Sequence, residues 1–310
     1  MEIAFFTEGG WAGKVPRNHM DIRTDSAWMC SLNTEHHPIT SIHTLQDDSY
    51  DFGIVIIPKK KDKLFNYPLI NEMKRVCKKI GTMQESTYWY WQGGTVQSQL
   101  WYHDILQSMD IIFCHNDMDL KYYRGITDVR CELLPSLMIT DNVKQFKGER
   151  DGVMVGGNWV TAYRGFDSYI IGKILSDKIT SPTTGRMKKD ETLLDINHIS
   201  WIKWVDWMFE LSKCKYGVQL GTAAAGTFNL NCSFLGIPCI GYDNVNTQKY
   251  LHPELSVPDG DVESARNLAV KLKTNENFYL HCSNQTKKLF NEIYSEKVFL
   301  KKVKNIINEL

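Results

Sequence analysis

YGVQLGTAAAGTFNLNCSFLGIPCIGY, residues 216–242, is the stretch whose reading decides the fold. An apolar run from Tyr216 to Leu220 breaks at Gly221, small residues follow, Thr227 opens a helix ending at Gly236, and a second apolar run covers Ile237 to Ile240. The order predicts strand, turn, helix and strand. Gly221 and Gly226 let backbone approach a ligand closely, and the first amides after Thr227 lack intrahelical acceptors, which suits a phosphate. Thr227 fits the N-cap position. Any strand–helix–strand unit needs glycine at its helix ends, so on this stretch alone the phosphate reading and the purely structural one stand level.

Working outward, the second half restarts the same alternation. Val153 to Val155 reads as a strand with Gly156 and Gly157 as its turn, Phe166 to Leu175 as a helix, and Ile179 to Ser181 as a strand. Ser200 to Cys214 has helical spacing, and Val262 to Lys273 and Gln285 to Leu310 read as closing helices. The last carries Leu289, Ile293, Val303, Ile306 and Leu310 on one apolar face. In the first half, strands are expected at Ile3 to Thr7, Ser41 to Leu45, Phe52 to Pro58, Gly81 to Glu85 and Asp110 to His115. Helices are expected at Asp25 to Asn33 with Thr24 as cap, Pro68 to Ile80 and Val96 to Met109, and His36 and His37 fall in a loop before Pro38. Such alternation argues for parallel sheets with right-handed crossovers.

The polar stretch ITDNVKQFKGERDG, residues 139–152, reads as a linker. The expected fold is therefore α/β, with two Rossmann-like domains facing across a cleft: residues 1–140, residues 151–290, and a terminal helix over 291–310 returning toward the first domain. Parallel open sheets place ligands at the carboxyl ends of their strands, so the active site is expected where those ends face one another.

A chain of 310 residues is long enough for two cores, and 43% apolar with 23% charged residues is an ordinary globular composition. Lys plus Arg equals Asp plus Glu at 36 each, which excludes a wholesale polyanion-binding surface but leaves room for a local patch. The 8 cysteines are scattered without a C-x-x-C pair and read as reduced core residues, and the 9 histidines show no metal spacing. No metal and no cofactor are expected. With no signal peptide and no membrane-spanning run, the expected location is cytoplasmic, a host cytoplasm if the chain is phage-encoded.

In the second half, Gly156, Gly157 and Asn158 follow one strand, Arg164 lies a few residues on, Arg186, Lys188 and Lys189 follow another, and Gly221, Thr222, Gly226 and Thr227 follow a third. Two glycine turns with separate cations suit a diphosphate. Each cation taken alone reads as a solvated surface charge. In the first half, the loop EGGWAGKVPRNHMDIRTD holds Gly9, Gly10, Lys14, Arg17, His19, Asp21, Arg23 and Asp25 after the first strand. Its glycines miss the G-x-G-x-x-G spacing of a dinucleotide site, which argues against hydride transfer. Glu85 ends a strand before the run Tyr88, Trp89, Tyr90, Trp91, where aromatic walls would raise its pKa and suit a general base. The same run reads equally as an apolar face under a loop. His115 is the rival base, with a structural role as its plain alternative. Lys59, Lys60, Lys61 and Lys63 form a local basic patch that would favour a phosphate backbone, with a solvated face as the default.

The pattern resembles a GT-B glycosyltransferase, over the whole chain in architecture and in motif around GTFNLNCSFLGIPCIG, where Gly236, Ile237 and Pro238 match the family's G-x-P after this helix. The resemblance implies a first domain on the acceptor side and a second that binds a nucleotide-sugar. Asn231 stands where many members carry a glutamate for the donor ribose, and an amide grips a diol less strongly than a carboxylate does. Length and the start MEIAFFTEGG are similar to phage enzymes that glycosylate hydroxymethylcytosine in DNA, a comparison that puts Glu85 near their catalytic carboxylate. The expected function is transfer of a hexose or pentose from a UDP-linked donor to an acceptor hydroxyl. Glu85, or the pair His19 and Asp21, would act as base. Gly9, Gly10, Gly157, Arg164, Arg186, Lys188, Gly221, Thr222, Gly226, Thr227 and Asn231 would bind the donor, and Lys59, Lys60, Lys61, Trp89 and Trp91 the acceptor. A flipped-out, hydroxymethylated DNA base is the first expectation for the acceptor, with a saccharide as the alternative, since both stack on aromatic walls. A nucleotide-sugar epimerase on the same scaffold, or a non-catalytic partner protein, is the alternative.

Overall fold

The computed structural model describes residues 1–9, 12–22, 24–57, 68–83, 87–157, 165–182, 189–221 and 226–310. The described chain groups into two units, Met1–Ile139 with Glu296–Leu310, and Thr140–Ser295.

The first unit is built on strands β1 (Ile3–Thr7), β2 (Gly13–Lys14), β3 (Glu35–Pro38), β4 (Tyr50–Val55), β5 (Cys77–Met83), β6 (Ile111–Cys114) and β7 (Arg130–Leu133), in sheet order β2-β3-β1-β4-β5-β6-β7. All pairs are parallel except β2 with β3. Helices α1 (Thr24–Leu32), α2 (Leu69–Val76), α3 (Trp89–Gln92), α4 (Val96–Gln107) and α5 (Asp117–Ile126) connect them. Strands β1 and β6 are apolar runs because both faces of the sheet are covered: one core gathers Phe6, Met73 and Ile112, the other Phe5, Trp28 and Phe113.

The second unit holds β8 (Val153–Val155), β9 (Ile179–Pro182), β10 (Asn197–Ile199), β11 (Tyr216–Gln219), β12 (Cys239–Tyr242) and β13 (Ser256–Val257), in order β10-β9-β8-β11-β12-β13 and parallel throughout. Its helices are α6 (Phe166–Leu175), α7 (Trp204–Ser212), α8 (Thr227–Leu235), α9 (Asn246–Leu251), α10 (Val262–Thr274) and α11 (Glu276–Leu289). Helix α12 (Glu296–Asn308) ends the chain and belongs to the first unit, where Phe299, Val303, Ile306 and Ile307 enter the Trp28 core.

Several expectations are corrected. The strand expected at Ser41 to Leu45 is a 3-10 turn, Ile39–Thr44, and the strand is Glu35–Pro38, where a histidine loop was expected. Both histidines find partners inside the sheet: His36 Nε2 lies 2.8 Å from Thr7 Oγ1 and His37 Nε2 2.8 Å from Tyr50 Oη. These bonds satisfy one ring nitrogen of each, while His36 Nδ1 is buried without a partner and burial pushes that imidazole down to about 4. The helix expected over Pro68 to Ile80 stops at Val76, because Cys77 turns to φ −126, ψ 134 and pairs with Tyr50. No glycine or proline marks that junction. The single closing helix is broken at Ser295, whose φ −65, ψ 153 is extended. Among the described residues, no helix is long and apolar enough to cross a membrane.

Candidate functional site

In the second sheet, the connections from β8 run toward β9 and β10, while β11, β12 and β13 lie on the other side. The chain order therefore reverses between β8 and β11, and the crevice beyond their carboxyl ends is where such a sheet receives a ligand. The Gly156–Gly157 turn follows β8, and Leu220 and Gly221 follow β11 on the way to α8.

Packing ties these turns together. A Cβ on Gly156 would stand 2.5 Å from the Phe228 ring, so only glycine lets the first turn of α8 press against the end of β8. Ser168 Oγ accepts from Leu220 N at 3.0 Å and donates to Leu220 O at 3.3 Å, joining the start of α6 to the end of β11. Beneath α8, His252 Nε2 donates to Asn229 O at 3.0 Å and Asn229 Nδ2 donates to Gln248 Oε1 at 2.7 Å. Burial pushes the His252 imidazole down to about 4, so it is neutral and a fixed donor at ordinary pH.

The two helix starts at this crevice differ in charge. At α6, Asp167 Oδ1 accepts from Ser168 N at 2.8 Å and Asp167 Oδ2 accepts from Tyr242 Oη at 2.8 Å. That start already carries its own anion. At α8 the first turn has no acidic residue and no side-chain cap. An acid-free helix start of this kind attracts an anion through its first amides and the aligned peptide dipoles.

The N-cap of α8 is Gly226, not Thr227 as expected from hydroxyl chemistry. Gly226 sits at φ 58, ψ 32, and a Cβ there would run into Thr247 Oγ1, which itself donates to Gly226 O at 2.8 Å. Left-handed backbone and crowding together select glycine. Thr227 becomes the first helical residue.

Asn231 is also corrected. It is 5% exposed, and with its amide oriented to satisfy both groups, Nδ2 donates to Thr227 O at 3.1 Å and Oδ1 accepts from Trp207 Nε1 at 3.2 Å. Each end of the amide has one partner within the helix packing, so Asn231 braces α8 against α7.

In the first unit, the order reverses between β1 and β4, and Gly9 follows β1 with its carbonyl accepting from Thr7 Oγ1 at 2.7 Å. Asp21 N donates to His19 Nδ1 at 3.2 Å. Asp25, in the first turn of α1, has its carboxyl pushed up by burial and secondarily by the charge of Asp21.

Of the aromatic run, Trp91 is 5% exposed and stacks on Tyr102 with centroids 4.0 Å apart at 11°, so it belongs to the core and not to an acceptor wall. Trp89, on α3, is 36% exposed. His115 is corrected as a rival base: it is buried, Nδ1 pairs with Leu134 O at 3.2 Å, and burial lowers it to about 4. Gly10, Lys59, Lys60, Lys61, Glu85, Arg164, Arg186, Lys188 and Thr222 lie outside the described residues. Among the described residues no cluster of His, Cys, Asp and Glu has the arrangement of a metal site. Sequence reading gave no role to Asp167, Ser168, Tyr242 or Thr247, none of which has a motif; only a fold places them around the two glycine turns.

No protein-family model and no curated protein sequence matches the chain. Solved structures do. HepE from Anabaena in complex with UDP-glucose superimposes with a TM-score of 0.72 at 7% identity, covering 100% of both chains. The sucrose-phosphate synthase of Thermosynechococcus elongatus gives 0.65 at 10% identity, over 100% of this chain and 99% of that one. TarM of S. aureus, in complex with fondaparinux, alpha-GlcNAc-glycerol and UDP, gives 0.64 at 14% identity over 87% of this chain, which spans 58% of TarM's length. At these identities the likeness is one of fold, and the two α/β units of this chain have the GT-B fold.

Proposed function

We propose that the chain is a glycosyltransferase whose second unit binds a nucleoside diphosphate sugar, with UDP as the nucleotide. The observation that carries this reading is the start of α8: an uncapped, acid-free helix end behind a left-handed glycine, placed where the strand order reverses. The diphosphate sits on the α8 amides and the Gly156–Gly157 turn, and the same amides stabilise the charge that develops as the sugar leaves. The UDP and UDP-glucose bound by HepE and the UDP bound by TarM favour this nucleotide. Arg164, Arg186, Lys188 and Thr222 are proposed to add the remaining donor contacts.

The first unit is proposed to bind the acceptor and supply the base. Glu85, or the pair His19 and Asp21, takes the acceptor proton. A saccharide is the favoured acceptor, in keeping with the sugar chemistry named for the similar structures. A hydroxymethylated DNA base rested on Lys59 to Lys61 and on Trp91 as a wall, and the burial of Trp91 removes part of that support.

Incubating the chain with a panel of UDP- and other nucleotide-sugars tests the reading. Slow hydrolysis of one donor, raised by a saccharide acceptor, is expected. Interconversion of sugars without release would replace transfer by epimerisation, and no nucleotide binding by calorimetry would remove the proposal.

A further inference from the structure

A cavity of about 450 Å³ opens on the second unit at the amino ends of β8 and β11, the far end of those strands from the glycine turns. Lys215 lines it just before β11, Arg150 just before β8, and Leu235 and Gly236 at the end of α8. Helix α8 thus starts at the proposed donor site and ends at this cavity.

Three cations line it. Arg150 Nη2 donates to Leu235 O at 2.8 Å, which offsets the negative end of α8, and its guanidinium makes no other hydrogen bond or ion pair among the described residues. Lys215 Nζ lies 4.7 Å from the Tyr279 ring centroid and 3.6 Å from Glu276 Oε2. Lys287, on the rim, has no ion pair among the described residues. Against these stand the carboxylates of Glu149 and Glu276, so the lining is cationic by one charge.

That mixture is selective. A bare phosphate would answer the cations but leave most of the volume empty, while Glu149, Glu276 and Asn284 offer acceptors that suit hydroxyl donors. We propose that the cavity binds a small phosphorylated polyol, with its phosphoryl group between Arg150, Lys215 and Lys287 and its hydroxyls on the acidic side. Guanidinium forks and ammonium groups bind phosphoryl oxygens with complementary geometry.

Isothermal titration of the full chain at low ionic strength with ribose 5-phosphate, inorganic phosphate and ribose, each in the presence of saturating UDP, tests this. Ribose 5-phosphate is expected to bind, inorganic phosphate about tenfold more weakly, and ribose not at all. Arg150→Gln and Lys287→Gln should each weaken ribose 5-phosphate about tenfold. Lys287 is exposed and its variant should keep the circular dichroism and melting of the parent, so a loss there reports the site and not the fold. Absence of ribose 5-phosphate binding at millimolar concentration, or parental affinity in both variants, would overturn the site. Equal affinity for inorganic phosphate would overturn the polyol. If UDP itself does not bind, the donor reading fails while this titration still stands on the two variants.

Discussion

At the residue scale, the positions that matter are those where one atom decides the geometry. Gly226 combines φ 58 with a crowded Cα, so Gly226→Ala imposes both a left-handed penalty and an overlap with Thr247. The two together should cost roughly 2–4 kcal/mol. Urea denaturation followed through the second unit should show that loss, together with weakened UDP binding; parental values for both would mean the turn relaxes at no cost. His252 supplies a pH signature. Its folded pKa is lowered to about 4 from 6.5, so the unfolded chain takes up a proton as pH falls below 6.5 while the folded chain does not until about 4. Stability is therefore complete above pH 6.5 and declines as pH falls toward 4, by up to roughly 3 kcal/mol from this group. His252→Gln should be less stable at pH 7.5 and lose less between pH 6.5 and 4, as measured by denaturant midpoints. An unchanged slope would place the proton uptake elsewhere.

At the element scale, magnitudes decide what holds α12 in the first unit. Arg17 makes a two-pronged pair with Glu296 at 2.8 Å, and Arg130 pairs with Glu309 at 2.8 Å, but these groups are partly exposed and such pairs contribute about 0–1 kcal/mol each. Phe299 is fully buried with its ring 5.0 Å from that of Trp28. Phe299→Ala should cost about 3–5 kcal/mol, whereas Glu296→Gln should cost no more than about 1. Denaturation curves of the two variants test this; a larger loss from Glu296→Gln would show that charge, not packing, docks the helix. Helix α8 shows why its extent was legible and its N-cap was not. Its start and stop are written in glycines at 226 and 236, but whether Gly226 or Thr227 is the cap depends on Thr247, a residue of the next helix. Likewise Asn231 reads as a polar group free to bind ribose until its bond to Trp207 is seen.

At the scale of the whole molecule, the proposed donor site belongs to one unit, and its occupation should be read there. Hydrogen exchange with saturating UDP should slow amides in residues 153–157 and 226–235 while leaving the core strands of the first unit unchanged. At a hundredfold excess over Kd the second unit should gain about 2.7 kcal/mol. Protection centred on the first unit would move the donor. Alternation of apolar runs with helical spacing was enough to determine, from sequence, an α/β chain with two parallel sheets, because strand and helix periods and short connections are local properties of the chain. The glycine turns and the helix between residues 226 and 236 were legible for the same reason. Only the tertiary structure decided that His36 and His37 form a strand, that Trp91 is core, that Asn231 bonds Trp207 and that Asp167 fills the start of α6 while the first turn of α8 has no side-chain cap. Each of these turns on a partner distant in sequence, and burial or hydrogen bonding by such a partner leaves no trace in the residues on either side.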